Sequence, residues 1–100
     1  MIAFNIYYGT VGKTLGVKYR FTKNFKDENS AKTFAKTLAT SFFYKNEGKY
    51  GLPSYKTISK ESELTGISVE RLYEDHIKDM CRWYAIPTEF DTITSDKLKW

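Results

Sequence analysis

The sequence predicts an α+β fold, an N-terminal β-hairpin packed on about three helices, with a short C-terminal strand as a candidate third member of the sheet. Three observations carry this. Residues 2–8 and 15–22 alternate apolar and polar side chains at period two. From residue 28 the apolar period lengthens to that of a helix. Gly, Pro and Ser punctuate the chain where one pattern gives way to the next.

The first element is the hairpin, over 1–24. "MIAFNIYY" places Ile2, Phe4, Ile6 and Tyr8 on one face. "LGVKYRFT" sets Leu15, Val17, Tyr19 and Phe21 against Gly16, Lys18, Arg20 and Thr22. The link between the runs contains Gly9 and Gly12, expected to supply backbone angles that other residues find costly. It also contains Gly12-Lys13-Thr14, the last three residues of a phosphate-binding loop. That loop needs an earlier glycine at position 7, where Tyr7 stands, and a helix after it, where a strand is expected. The stretch is read as a hairpin turn.

A helix over 28–47 follows. Asp27, Asn29 or Ser30 can cap its start. Ala31, Phe34, Ala35, Leu38 and Phe42 form its apolar stripe, with Lys32 and Lys36 off it, and Gly48 is expected at its end. Residues 54–86 read as a helical pair. Ser54 caps a short first helix whose apolar points are Tyr55, Ile58 and Leu64, and Gly66 breaks it. Ser68 caps a second helix carrying Val69, Leu72, His76, Met80 and Trp83, widened by Tyr73, Ile77 and Tyr84 and closed by Pro87. The tail, 88–100, offers a short strand at 90–94 as the third member of the sheet.

The chain has room for a single core, over 1–100. Its 17 % aromatic content predicts a dense core and leaves Tyr and Trp for a partner. No run is long and apolar enough to span a membrane, and the first residues lack the shape of a signal peptide. Cys81 has no second cysteine with which to form an internal disulfide. The expected location is therefore the reducing cytoplasm of a bacterium or host cell. The net charge of +4 is unevenly spread: residues 1–56 carry ten Lys/Arg and three Asp/Glu, net +7, and residues 57–100 carry six and nine, net −3. A basic half can face phosphates or an acidic protein, and an acidic helix face can meet Lys and Arg.

Nothing in the residues specifies catalysis. His76 is the sole histidine and falls on an apolar stripe. Cys81 lies five residues away, off the same helix face. Zinc needs more Cys and His than the chain has, and Glu61, Glu63, Glu70, Glu74, Asp75 and Asp79 read as a solvated face. The expectation is a protein that is not an enzyme and takes no cofactor and no metal.

Two resemblances add context. "GISVERLYEDHI", the turn and second helix of the 57–77 pair, resembles the helix-turn-helix of TetR-type repressors, which implies a transcriptional regulator reading DNA. Residues 57–80 hold three basic and six acidic residues, a balance that opposes entry between two phosphate backbones. The order of hairpin, Lys-rich helix, "YGLPSY", acidic pair and "WYAIPTEFDT" resembles small open reading frames of phages and mobile elements of Gram-positive bacteria. The matching residues are Tyr50, Gly51, Leu52, Pro53 and Ser54, then Trp83, Tyr84, Ala85, Ile86 and Pro87. That resemblance implies expression inside a bacterial host, where anti-CRISPR proteins and other inhibitors of host defence are the best-populated class.

The resulting expectation is partner binding. The protein would occlude, sterically or electrostatically, a host protein or nucleoprotein that handles nucleic acid, such as a CRISPR effector. A helix-turn-helix regulator is the alternative, and a virion structural or assembly factor the third. Expected contact residues are Lys13, Lys18, Arg20 and Lys23 of the hairpin and Glu70, Tyr73 and Glu74 of the last helix. Nucleic acid is a further candidate ligand of the basic half.

Overall fold

The computed structural model describes residues 1–11 and 16–91. Strands β1 (Ile2–Thr10) and β2 (Val17–Phe25) form the N-terminal hairpin, antiparallel from Ile2 opposite Phe25 to Gly9 opposite Val17. A strand therefore follows the Gly12-Lys13-Thr14 stretch, and no phosphate-loop helix does. Gly9 is required for closeness rather than for its backbone angle. A Cβ there would stand 2.0 Å from the Gly16 carbonyl oxygen, and of the two it is Gly16 that takes a positive φ, of 75°.

Helix α1 (Glu28–Lys45) crosses one face of the sheet. Asp27 is its N-cap and accepts from the Ser30 N–H at 2.8 Å. Ala31, Ala35 and Ala39 recur every fourth residue and are buried. A row of small side chains lets the helix approach the strands, and Phe34 and Leu38 fill the flanks. The helix stops two residues before its expected end at 47. The Asn46 N–H donates to the carbonyls of Phe42 and Phe43, and its Nδ2 to Phe42 at 2.9 Å.

Helices α2 (Tyr55–Thr65) and α3 (Val69–Met80) form the expected pair. Ser54 and Ser68 cap their starts, and Gly66, left-handed at φ 79°, ends α2. Leu64 is not an anchor: it is 81 % exposed at the end of α2, and Ile58 alone of the three expected apolar points is buried.

The second helix does not run to residue 86. It ends at Met80, and the chain passes directly into β3 (Cys81–Pro87). β3 pairs antiparallel with β1, Phe4 opposite Pro87 through Thr10 opposite Cys81, so the sheet order is β2-β1-β3. The third strand thus exists, but earlier than 90–94. Thr88–Phe90 form a single 3₁₀ turn, and residues 92–100 lie outside the described region. The abrupt switch leaves helix carbonyls to satisfy. The Arg82 guanidinium curls back to donate to Lys78 O at 2.6 Å, and the Val11 N–H donates to Met80 O at 2.8 Å.

Two apolar clusters result. Phe4, Ile6, Phe25, Ala31, Ala35 and Ala85 lie between sheet and α1. Phe43, Leu52, Ile58, Leu72, Tyr73, Ile77 and Cys81 join the end of α1 to the helical pair. Trp83 packs against both and connects them.

Candidate functional site

The basic candidates sit on β2, but not as simple alternation places them. Between Ile6 and Tyr7 the register slips: Ile6 faces Phe21 and Tyr7 faces Tyr19, leaving Arg20 as an extra residue. Tyr19, Thr22 and Asn24 consequently share the face away from α1 with Tyr7, Asn5 and Ala3. Lys18, Arg20, Phe21, Lys23 and Phe25 all lie on the α1 side. The expected grouping of Lys18, Arg20 and Thr22 on one face is therefore corrected by the bulge. Arg20 is a packing residue. Its guanidinium carbon lies 4.4 Å from the Tyr8 ring centroid and 5.5 Å from that of Phe42, and its Nε donates to Tyr8 O at 3.1 Å. Lys23 lies over Phe34, Nζ 5.4 Å from the centroid, and Lys18 faces Tyr8 across the strands. Lys13 lies outside the described residues.

The acidic candidates do come together. Glu70, Tyr73 and Glu74 line a groove of about 220 Å³ between α1 and α3. Lys36 and Tyr44 supply its α1 wall, and Trp83 of β3 and Lys78 complete it. Glu70 and Glu74 are one helical turn apart and exposed at the rim. Tyr73 is the correction here: it is buried, because position 73 falls on the face of α3 shared with Leu72 and Ile77. It forms the floor, stacked on Tyr44 at 4.8 Å between centroids and near-parallel to Tyr55 at 6.5 Å. Both outer rings are about half exposed. Burial, then the hydrogen bond to Glu47, pushes the Tyr73 hydroxyl well above the ordinary tyrosine range. Lys78 approaches Glu74 at 3.9 Å, an exposed pair that a competing cation can exchange at little cost.

Elsewhere the reactive residues have structural work. His76 Nε2 is hydrogen-bonded to Glu61 Oε1 at 2.8 Å and ties α3 to α2. Glu61 thereby leaves the solvated acidic face. Cys81 is buried, which pushes its thiol up and disfavours the reactive thiolate. On the face away from α1, Asp91 accepts from Asn5 Nδ2 at 2.7 Å and from the Tyr7 hydroxyl, anchoring the chain after β3 to the central strand. Among the described residues no group of three or more His, Cys, Asp or Glu is placed to hold a metal ion, and no helix is long and apolar enough to cross a membrane.

Sequence reasoning named Glu70 and Glu74, which line this groove, and did not name Tyr44, Tyr55 or Trp83 as contact residues. The signal for Trp83 was present in "CRWYAIP", where Trp, Tyr and Ile cluster in a run that also reads at period two. No local signal marks Tyr44 and Tyr55, which meet Tyr73 only in the folded chain. In comparisons with known proteins, the chain matches no family model, no curated protein and no solved structure.

Proposed function

We propose that this is a non-catalytic binding protein that occupies a nucleic-acid-handling machine of a bacterial host, in the manner of an inhibitor of host defence such as an anti-CRISPR protein. The observation that carries this reading is the α1–α3 groove. Glu70 and Glu74 line it together with Tyr44 and Trp83, above the buried Tyr73. Carboxylates next to aromatic faces are the chemistry that receives Lys or Arg, by charge-assisted hydrogen bonds and cation–π contact. Nucleases and their effectors present such side chains along the channels that hold phosphates. A surface that carries these carboxylates and rings, seated there, competes with the nucleic acid and needs no chemical step.

The test is a salt-series anisotropy titration with labelled duplex DNA and single-stranded RNA, followed by capture and inhibition assays on host defence nucleases. The reading expects no tight, steeply salt-dependent nucleic-acid binding, and a complex with a nuclease that Glu70→Lys/Glu74→Lys weakens by about 100-fold. A nuclease complex indifferent to that double variant removes the groove from the interface. The helix-turn-helix alternative is supported by the α2–Gly66–α3 pair with its Ser68 cap. It requires tight binding to one duplex sequence, and the burial of Tyr73 together with the acidic exposed face of α3 weighs against it.

A further inference from the structure

Among the described residues the sheet has two outer strands, and they differ in how they meet solvent. β2 carries Lys18, Arg20 and Lys23 and is interrupted by a bulge. Charges and bulges are the devices that stop an edge from pairing with another chain. β3, "CRWYAIP", has none of them along its middle. Its register with β1 is unbroken, and its one charged side chain, Arg82, is turned back onto the end of α3. Tyr84 is 44 % exposed, and Trp83 and Ile86 are half-buried. Among the described residues no strand pairs with its outer side. A groove of about 380 Å³ follows that side, walled by Glu28 and Lys32 of α1.

We propose that β3 is a self-association edge, pairing antiparallel with β3 of a second copy across a two-fold axis at Tyr84. One register engages all seven residues of the strand, the one centred on its midpoint. It sets each Trp83 against Ala85, large against small, and each Arg82 against Ile86. It leaves Pro87, which has no N–H to donate, at the ends. Along the α1 wall of the groove, Glu28 and Lys32 pair with each other at 2.8 Å, so the rim that a second copy meets carries no net charge. The product is a six-stranded sheet whose two remaining edges are both the lysine-bearing β2. The interface is isologous and closes at two copies.

Sedimentation velocity and light scattering on the full chain across a concentration series give the first test. The expected result is a species of twice 11.7 kDa that dissociates on dilution. Tyr84→Lys places two like charges on the axis and is expected to weaken the dimer roughly 100-fold while leaving the circular dichroism spectrum unchanged. Tyr84→Cys is the positive test. Directly opposed antiparallel residues lie within disulfide reach, so mild oxidation should yield a cross-linked dimer, whereas Thr33→Cys on the exposed side of α1 should not. A monomer at every concentration overturns the proposal. So does a dimer whose Tyr84→Cys variant fails to cross-link.

Discussion

β2 and β3 flank the same central strand, yet β2 carries Lys18, Arg20, Lys23 and a bulge while β3 carries Trp83, Tyr84 and Ile86 in unbroken register. Both strands keep apolar contact with α1, but by different means. β3 sends Trp83 inward, where it touches both apolar clusters. β2 sends in Phe21 and Phe25 and covers the remaining gap with the stem and plane of Arg20. One edge thus joins the core and stays apolar outside. The other seals the rim with charged groups. The difference shows that a sheet edge can be protected and packed by the same cationic side chain.

The role of β3 in the core depends most on Trp83. Trp83→Ala removes the side chain shared by the two clusters, and a loss of about 3 kcal/mol is expected in urea unfolding, with the two clusters no longer melting together. Retained stability would mean that β3 is not the link between them. Arg20→Ala should cost less, about 1 kcal/mol, through the cation–π contacts and the bond to Tyr8 O. Arg20→Lys should recover only part of it, because an ammonium lacks the planar face that stacks. Full recovery would reduce Arg20 to a surface charge.

The smallest effect is titration at the two ends of the pH scale. Asp27 is held below its ordinary 3.8 by accepting hydrogen bonds at Ser30. Its folded pKa is depressed, so its stabilisation is present above pH 4 and fades as the pH falls through the folded value. Tyr7 is displaced upward, chiefly by burial and then by its bond to Asp91. Its folded pKa is raised, so its stabilisation is complete below pH 10 and is lost as the pH rises beyond. Denaturation midpoints followed against pH should fall at both ends. Asp27→Asn should flatten the acid limb and Tyr7→Phe the alkaline one, and limbs unmoved by these variants would assign them to other groups.

Much of the architecture was legible because it is written in short-range chemistry. Asp27, Ser54 and Ser68 each accept from a backbone N–H three residues on, and Gly66 takes a left-handed turn. Each of these depends on neighbours a few positions away. The misread segment is 81–87. Its Trp83 and Tyr84 fall at helical spacing from Met80 and equally at period two within the strand, and periodicity alone does not arbitrate between them. The unpaired side of β1 does. The site divides in the same way. Glu70 and Glu74 share a rim because they are one turn apart, whereas the floor beneath them requires Tyr44 from another helix.

By itself, then, the sequence determined the hairpin, the helix starts, the α1 stripe that includes Ala31 and Ala35, and the acidic character of α3. The tertiary structure alone decided three things. A bulge opposite Ile6 moved Lys18 and Arg20 to the α1 side. Pairing with β1 drew residues 81–87 out of helix. The stack with Tyr44 and Tyr55 accompanied the burial of Tyr73. All three turn on contacts between residues far apart in the chain. Their energies depend on what lies opposite, and that partner is present only once the chain has folded.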